Sequence, residues 1–257
     1  MKVAMSSLLF SKKTLAESLK FIHGKGIKHV DVGALQGWRH LHPLDLLADP
    51  EKGYNELRDL LNENDLEAVA FNAGFSAPET DQLSALVSLA NQFAVRVITL
   101  PSLGADKPIS QEVERMKRLV EIADGKGVRL GVETHVGTLT ENPETALELV
   151  RSVPGLGLTL DVSHYYCNGF EKAAETLLPY VYHVHVRDCG RTTENIELPF
   201  GEGLCDFEHW FNLLHHAQYA GNVTVEYIDL PGIRFDHVDS ALRCFQACQT
   251  IVGGFES

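Results

Sequence analysis

Short apolar runs alternate along this chain with segments whose apolar residues recur at helical spacing. The runs are Val30-Asp31-Val32, Leu66 to Phe71, Val95 to Leu100, Val128 to Glu133, Leu156 to Asp161, Val181 to Val186 and Val223 to Ile228. Met1 to Met5 supplies a weaker first run. Between them, helical periods cover Thr14 to His23, Gly53 to Asn62, Thr80 to Gln92, Gln111 to Asp124, Pro143 to Ser152, Glu171 to Leu178, Phe207 to Gln218 and Val238 to Ile251. Eight strands thus alternate with eight helices. Such alternation predicts parallel strands joined by right-handed crossovers.

Glycines punctuate the joints. His23-Gly24-Lys25-Gly26-Ile27 resembles Asp124-Gly125-Lys126-Gly127-Val128, each a helix end followed by a strand. Glycine stops a helix because it accepts the left-handed conformation. No proline- or serine-rich linker divides the chain, so residues 1–257 are expected to form one domain. The number of βα units and the length favour an α/β fold of the closed (β/α)8 TIM barrel type. An open doubly wound sheet would carry a glycine-rich turn after its first strand, and none is present there.

Charge narrows the partners. The chain has 22 Lys and Arg against 35 Asp and Glu, a formal net charge of −13. A polyanion needs a basic surface, so no nucleic-acid partner is expected, nor an anionic membrane face. The apolar stretch at residues 1–10 is short and is followed by Ser11-Lys12-Lys13, unlike a signal peptide. Five cysteines without a C-x-x-C pair indicate neither a disulfide framework nor a zinc knuckle. The expectation is a reduced, cytoplasmic protein, with Cys244 and Cys248 as buried thiols.

In a barrel the active site lies at the carboxyl ends of the strands. Strand five ends Gly131-Val132-Glu133-Thr134-His135, and strand six ends Leu160-Asp161-Val162-Ser163-His164. Strand seven reads Tyr182-His183-Val184-His185-Val186-Arg187-Asp188, and strand eight ends Val223-Thr224-Val225-Glu226. Burying a lone carboxylate is expensive, so four ionisable residues at equivalent depth on consecutive strands point to a shared cation. Alternation places Thr159 with Asp161, His183 with His185, and Thr224 with Glu226 on the interior face. Three carboxylates and one imidazole suit one divalent ion: Mn²⁺, Mg²⁺ or Co²⁺, and Zn²⁺ as well. Any one such acid, taken alone, is more often a helix N-cap or a loop ion pair.

These residues, together with Phe200-Gly201-Glu202-Gly203, are similar to the xylose isomerase-like TIM barrel superfamily, the group of sugar and sugar-phosphate isomerases and epimerases. The resemblance runs in order along most of the chain and is strongest from Gly127 to Glu226. It implies that Glu133, Asp161, His185 and Glu226 hold the metal. It implies that Glu133 and Glu226 also move protons, and that His164 and Arg191 contact substrate. Ketose 3-epimerases of this superfamily carry a Glu six residues beyond the strand-five ligand, where this chain has Leu139.

The implied activity is isomerisation or epimerisation of a sugar or keto-sugar. A weakly acidic proton beside a carbonyl is removed, and a divalent metal stabilises the developing enediolate. A dehydratase of the inosose or 3-dehydroshikimate type begins in the same way and is the main alternative. An apurinic-site endonuclease, which needs three zincs and early-strand histidines, and a catalytically inactive barrel are remote ones. His135, Asn72 and Trp38 are further candidates for lining the mouth, and His183 is read as an interior residue behind the ligands. Glu202 is read as tying down the loop from Arg191 to Leu204. No phosphate cradle follows strands seven or eight, which favours unphosphorylated sugars or keto-acids. A homo-oligomer is allowed by the sequence, but no interface is defined by it.

Overall fold

The apolar runs form parallel strands β1 (Val3–Ser6), β2 (His29–Leu35), β3 (Glu67–Gly74), β4 (Val97–Leu100), β5 (Arg129–Glu133), β6 (Leu156–Asp161), β7 (Val181–Val186) and β8 (Val223–Val225). They pair in sequence order and close when β8 pairs with β1, placing Val3 opposite Val223. The structure, a computed structural model, describes residues 1–229 and 232–255. Helices α1 (Leu15–Gly24), α2 (Pro43–Ala48), α3 (Pro50–Glu63), α4 (Glu79–Gln92), α5 (Ile109–Ala123), α6 (Pro143–Ser152), α7 (Val162–Asn168), α8 (Glu171–Ala174), α9 (Phe207–His216) and α10 (His237–Gly254) surround the sheet. This is the (β/α)8 TIM barrel that the alternation predicts.

Local chemistry starts and stops these helices. Thr14 caps α1 reciprocally with Glu17, and the helix turns Leu15, Ser18, Leu19 and Ile22 inward. Its exit runs through Gly26 at φ 75°, a left-handed conformation unfavourable for other residues. Cys244 and Cys248, one turn apart on α10, are both buried.

The boundaries differ from expectation in places with a physical cause. The predicted helix from Glu171 to Leu178 divides into α8 and a 3-10 stretch, Glu175–Tyr180. Pro179 has no N–H to bond the Glu175 carbonyl, so the α-helical ladder cannot continue there. Strand β8 stops at Val225 rather than Ile228, because the Ile228 N–H turns to the Glu197 carboxylate. Two short helices were not legible: α2, and α7, which starts directly after β6.

The barrel interior is packed. Thr99 and Thr159 share a hydroxyl hydrogen bond of 2.8 Å across β4 and β6. Gly131 makes room for it, since a Cβ there would lie 2.6 Å from Thr159 Oγ1.

Candidate metal centre and active site

The pairing of strands carries the four predicted ligands to one point. Asp161 lies opposite His185, and His185 opposite Thr224, two residues before Glu226. The Glu226 N–H bonds the Val186 carbonyl at 3.0 Å, which fixes Glu226 just beyond the end of β8. One donor atom from each of Glu133, Asp161, His185 and Glu226 lies within 4.8 Å of all the others. His185 Nδ1 faces Glu133 Oε1 at 2.9 Å and Glu226 Oε2 at 3.2 Å. A cation held at about 2.0–2.2 Å by each ligand fits that spread.

Asp161 combines the two readings that the sequence left as alternatives. Its Oδ1 caps α7, accepting from Ser163 N at 2.9 Å and Ser163 Oγ at 2.5 Å. Its Oδ2 is thereby aimed at the site, where Arg187 Nη2 donates to it at 2.7 Å. The cap therefore orients this candidate ligand.

Arg187 was missed as a site residue. Its guanidinium is buried and also donates to Glu226, to Oε2 at 3.1 Å and to the carbonyl at 2.9 Å. Nη2 further contacts His164 Nε2 at 2.9 Å. The available signal was alternation: Arg187 is two residues beyond His185, and so on the same face. Three carboxylates thus crowd around this one guanidinium, an excess of acidic groups that a divalent ion would relieve.

The electrostatics follow from this crowding. Burial raises Asp161 above the usual carboxylate range, aided by Glu133 and Glu226 and opposed by Arg187. Burial also opposes ionisation of Glu226, but His185 and Arg187 hold it below its ordinary value. His185 is pulled both ways: burial disfavours its charge, and Glu226, Asp31 and Glu133 outweigh burial, lifting it well above the ordinary histidine value. His164 goes the other way. Burial and Arg187 keep it neutral, well below that value.

A cavity of about 150 Å³ opens above the ligands. Glu133, Glu226, Arg187, His135, His164, Asn72 and Trp38 line it, with Leu8, Leu35, Pro101 and Ile228 as its apolar wall. Asn72 Nδ2 donates to Glu226 Oε1 at 2.8 Å. His135 and His164 lie ring against ring, 3.9 Å between centroids. His135 Nδ1 donates to the Val136 carbonyl at 2.7 Å, which leaves Nε2 as an acceptor. Five of the predicted mouth residues are thus accounted for as four in the cavity and one outside it.

Arg191 is the one outside. It pairs with Glu171 at 2.7 Å, over the Tyr166 ring, with its side chain 52% exposed. The loop that follows β7 carries Arg191 outward, so this residue does not reach the ligands. Glu202 is also exposed rather than the tie of that loop. The tie is Asp188, whose carboxylate accepts from the N–H groups of Cys189, Gly201, Gly203 and Cys205. Within the same loop Glu197 is buried and accepts from the N–H of Ile228, a residue of the cavity wall, at 3.0 Å. Burial pushes its carboxyl up to about 7, against the pull of Arg187.

Among the described residues no helix is long and apolar enough to cross a membrane. Strands β3 and β4 bring Asn72 and Pro101 to the cavity rather than the histidines that a three-zinc nuclease would need.

No curated protein matches the chain as a relative in sequence. Solved structures do resemble it. A D-tagatose 3-epimerase-like protein aligns over 100% of both chains with 21% identity and a TM-score of 0.76. A xylose isomerase-like TIM barrel protein from Mycobacterium smegmatis in complex with magnesium covers 97% of this chain and 96% of its own, with 15% identity and a TM-score of 0.78. A probable 3-DHS dehydratase from Bacillus anthracis covers 97% and 99%, with 18% identity and a TM-score of 0.73. At these identities the likeness speaks for the fold. The family model for the xylose isomerase-like TIM barrel matches residues 12–248, and with that match over most of its length the chain belongs to the xylose isomerase-like TIM barrel family.

Proposed function

We propose that the protein is a divalent-metal-dependent isomerase or epimerase of a small, unphosphorylated sugar or keto-sugar. The observation that carries this reading is the division of the ligand set. Glu133 and Glu226 line the cavity, whereas Asp161 and His185 do not. Two of the four can therefore touch substrate, and two only hold the ion. Mn²⁺, Mg²⁺, Co²⁺ and Zn²⁺ all suit the donor set.

When bound, the ion withdraws electron density from the substrate's carbonyl and hydroxyl oxygens, which acidifies the adjacent C–H. Glu133 Oε1 faces His185, and its Oε2 carries no hydrogen bond among the described residues. That oxygen takes the proton from the carbon beside the carbonyl. Glu226 is held from behind, with Asn72 on Oε1 and Arg187 and His185 on Oε2. It takes up a proton from solvent and delivers it to carbon from the opposite side, and Glu133 then releases its own proton to solvent. Return to the opposite face of the same carbon gives an epimer, and return to the neighbouring carbon gives an aldose–ketose pair. His135 Nε2 accepts from a substrate hydroxyl. Trp38 and the apolar wall cover the carbon skeleton and exclude water.

The choice of an unphosphorylated substrate rests on charge. Arg187 is the one lining residue that is always cationic, and it is committed to two carboxylates. No clamp remains for a phosphate among the described residues.

The test is a panel of ketoses and keto-acids incubated with Mn²⁺-loaded protein in deuterated water. The expected result is one deuterium incorporated at the carbon beside the carbonyl, with no loss of water from the substrate. Loss of water would identify a dehydratase, and absence of exchange with every panel member would overturn the reading.

A further inference from the structure

Behind the ligands lies a buried carboxylate for which the proposed reaction has no use. Asp31, on β2, is 1% exposed. Its Oδ2 lies 3.2 Å from His185 Nε2, 3.2 Å from His183 Nε2 and 3.3 Å from Thr224 Oγ1. Three groups able to donate thus converge on one oxygen, while Oδ1 has no partner. Asp31 therefore works through Oδ2 alone.

The proton positions follow from the contacts. The buried His183 Nδ1 has no partner, so its single proton belongs on Nε2, where Asp31 Oδ2 and Thr224 Oγ1 accept. His185 Nε2 faces Asp31 Oδ2. An Nε2 lone pair facing a carboxylate oxygen would be repelled, so Nε2 carries a proton. Nδ1, aimed at Glu133 and Glu226, faces carboxylates too, but it alone points into the ligand cluster, so it is the nitrogen that would exchange its proton for a cation while Asp31 retains the proton on Nε2. The two rings pack at 90° with centroids 5.2 Å apart, which limits rotation of His185.

We infer that Asp31 is a positioning residue for the metal centre: its Oδ2 holds the proton of His185 on Nε2 and keeps Nδ1 as the metal-binding nitrogen. This inference rests on the metal-dependent reading above. Partners of this kind raise the affinity of a ligating histidine by about 10–100-fold. The inference also explains why a charged residue occupies the centre of β2, where parallel barrel strands are otherwise apolar.

The experiment is calorimetric titration of Mn²⁺ into the metal-free wild-type chain and into Asp31→Asn, with ¹⁵N spectra of histidine-labelled protein loaded with Mg²⁺. The asparagine keeps the size but can point an amide N–H₂ at His185 Nε2, which favours the wrong tautomer. The expected result is Mn²⁺ binding about 10–100-fold weaker in the variant, at an unchanged circular dichroism spectrum. In the Mg²⁺-loaded wild type, the His185 proton is expected on Nε2. A purely structural Asp31 would lower the melting temperature and leave the affinity alone. Binding within about twofold of wild type, or a proton on Nδ1 in the Mg²⁺-loaded wild type, would overturn the role of Asp31. The second readout stands even if the variant fails to fold. A wild-type chain that binds no Mn²⁺ would instead overturn the metal reading itself.

Discussion

Strands β5 to β8 deliver Glu133, Asp161, His185 and Glu226 to the barrel mouth, whereas β1 to β4 deliver Asn72, apolar side chains and, deeper down, Asp31. In the first group the ionisable residue stands within one position of the strand's carboxyl end. In the second group the polar residues sit inside their strands: Asn72 is two residues before the end of β3, and Asp31 is the third residue of β2. The difference follows from what each half has to do. Ligands must reach a shared point above the packed interior. Their supports must lie beside or below that point, where a single hydrogen bond sets an orientation.

That contrast can be broken in four graded ways. Glu226→Gln removes the group proposed both to bind the ion and to move the proton, so turnover should fall by about 10³-fold or more at an unchanged circular dichroism spectrum. Wild-type rate on the identified substrate would remove Glu226 from the mechanism. Arg187→Met leaves the crowded carboxylates without their built-in cation. Breaking a buried pair in this way costs about 3–5 kcal/mol. The melting temperature of the metal-free chain should therefore drop steeply, and added Mn²⁺ should restore much of it. An unchanged melting temperature would show that Arg187 does not neutralise the site.

On the supporting half, Asn72→Ala frees Glu226 Oε1. The expected loss in kcat/KM is about 10–100-fold, well short of that in Glu226→Gln. A loss as large as that of the ligand would erase the distinction between ligands and supports. The smallest effect belongs to Arg191→Ala. An exposed ion pair contributes about 0–1 kcal/mol, so stability and kcat/KM should both stay within about threefold of wild type. A large rise in KM would place Arg191 on the substrate despite its pairing with Glu171.

The same two halves differ in how well they can be read from sequence. A polar residue at or near the end of an apolar run is conspicuous: Glu133 and Asp161 end theirs, and His185 and Glu226 stand one and two residues before the end. The strand order followed from the alternation of runs and helical periods. Arg187 was hidden because it follows Val186, outside the strand, and its partners are set by barrel closure rather than by neighbours in sequence. Asp31 was hidden by its position in the middle of an apolar triplet, where its three partners come from β7 and β8. Arg191 shows the converse. Its spacing from His185 suits a substrate contact, but Asp188 gathers the backbone of the following loop and the chain carries Arg191 to the surface. Helix α7 was invisible because it begins directly after β6, with Asp161 serving as strand end, cap and proposed ligand at once.

The account stands or falls on the ion. Three carboxylates, one guanidinium and one imidazole surround the point where a single divalent cation is proposed, so the most direct measurement is elemental analysis of protein saturated with Mn²⁺ and freed of excess. One divalent ion per chain is the predicted result, falling to none in a variant carrying both Glu133→Gln and Glu226→Gln. Protein with no bound metal, or with three zinc ions per chain, would contradict it.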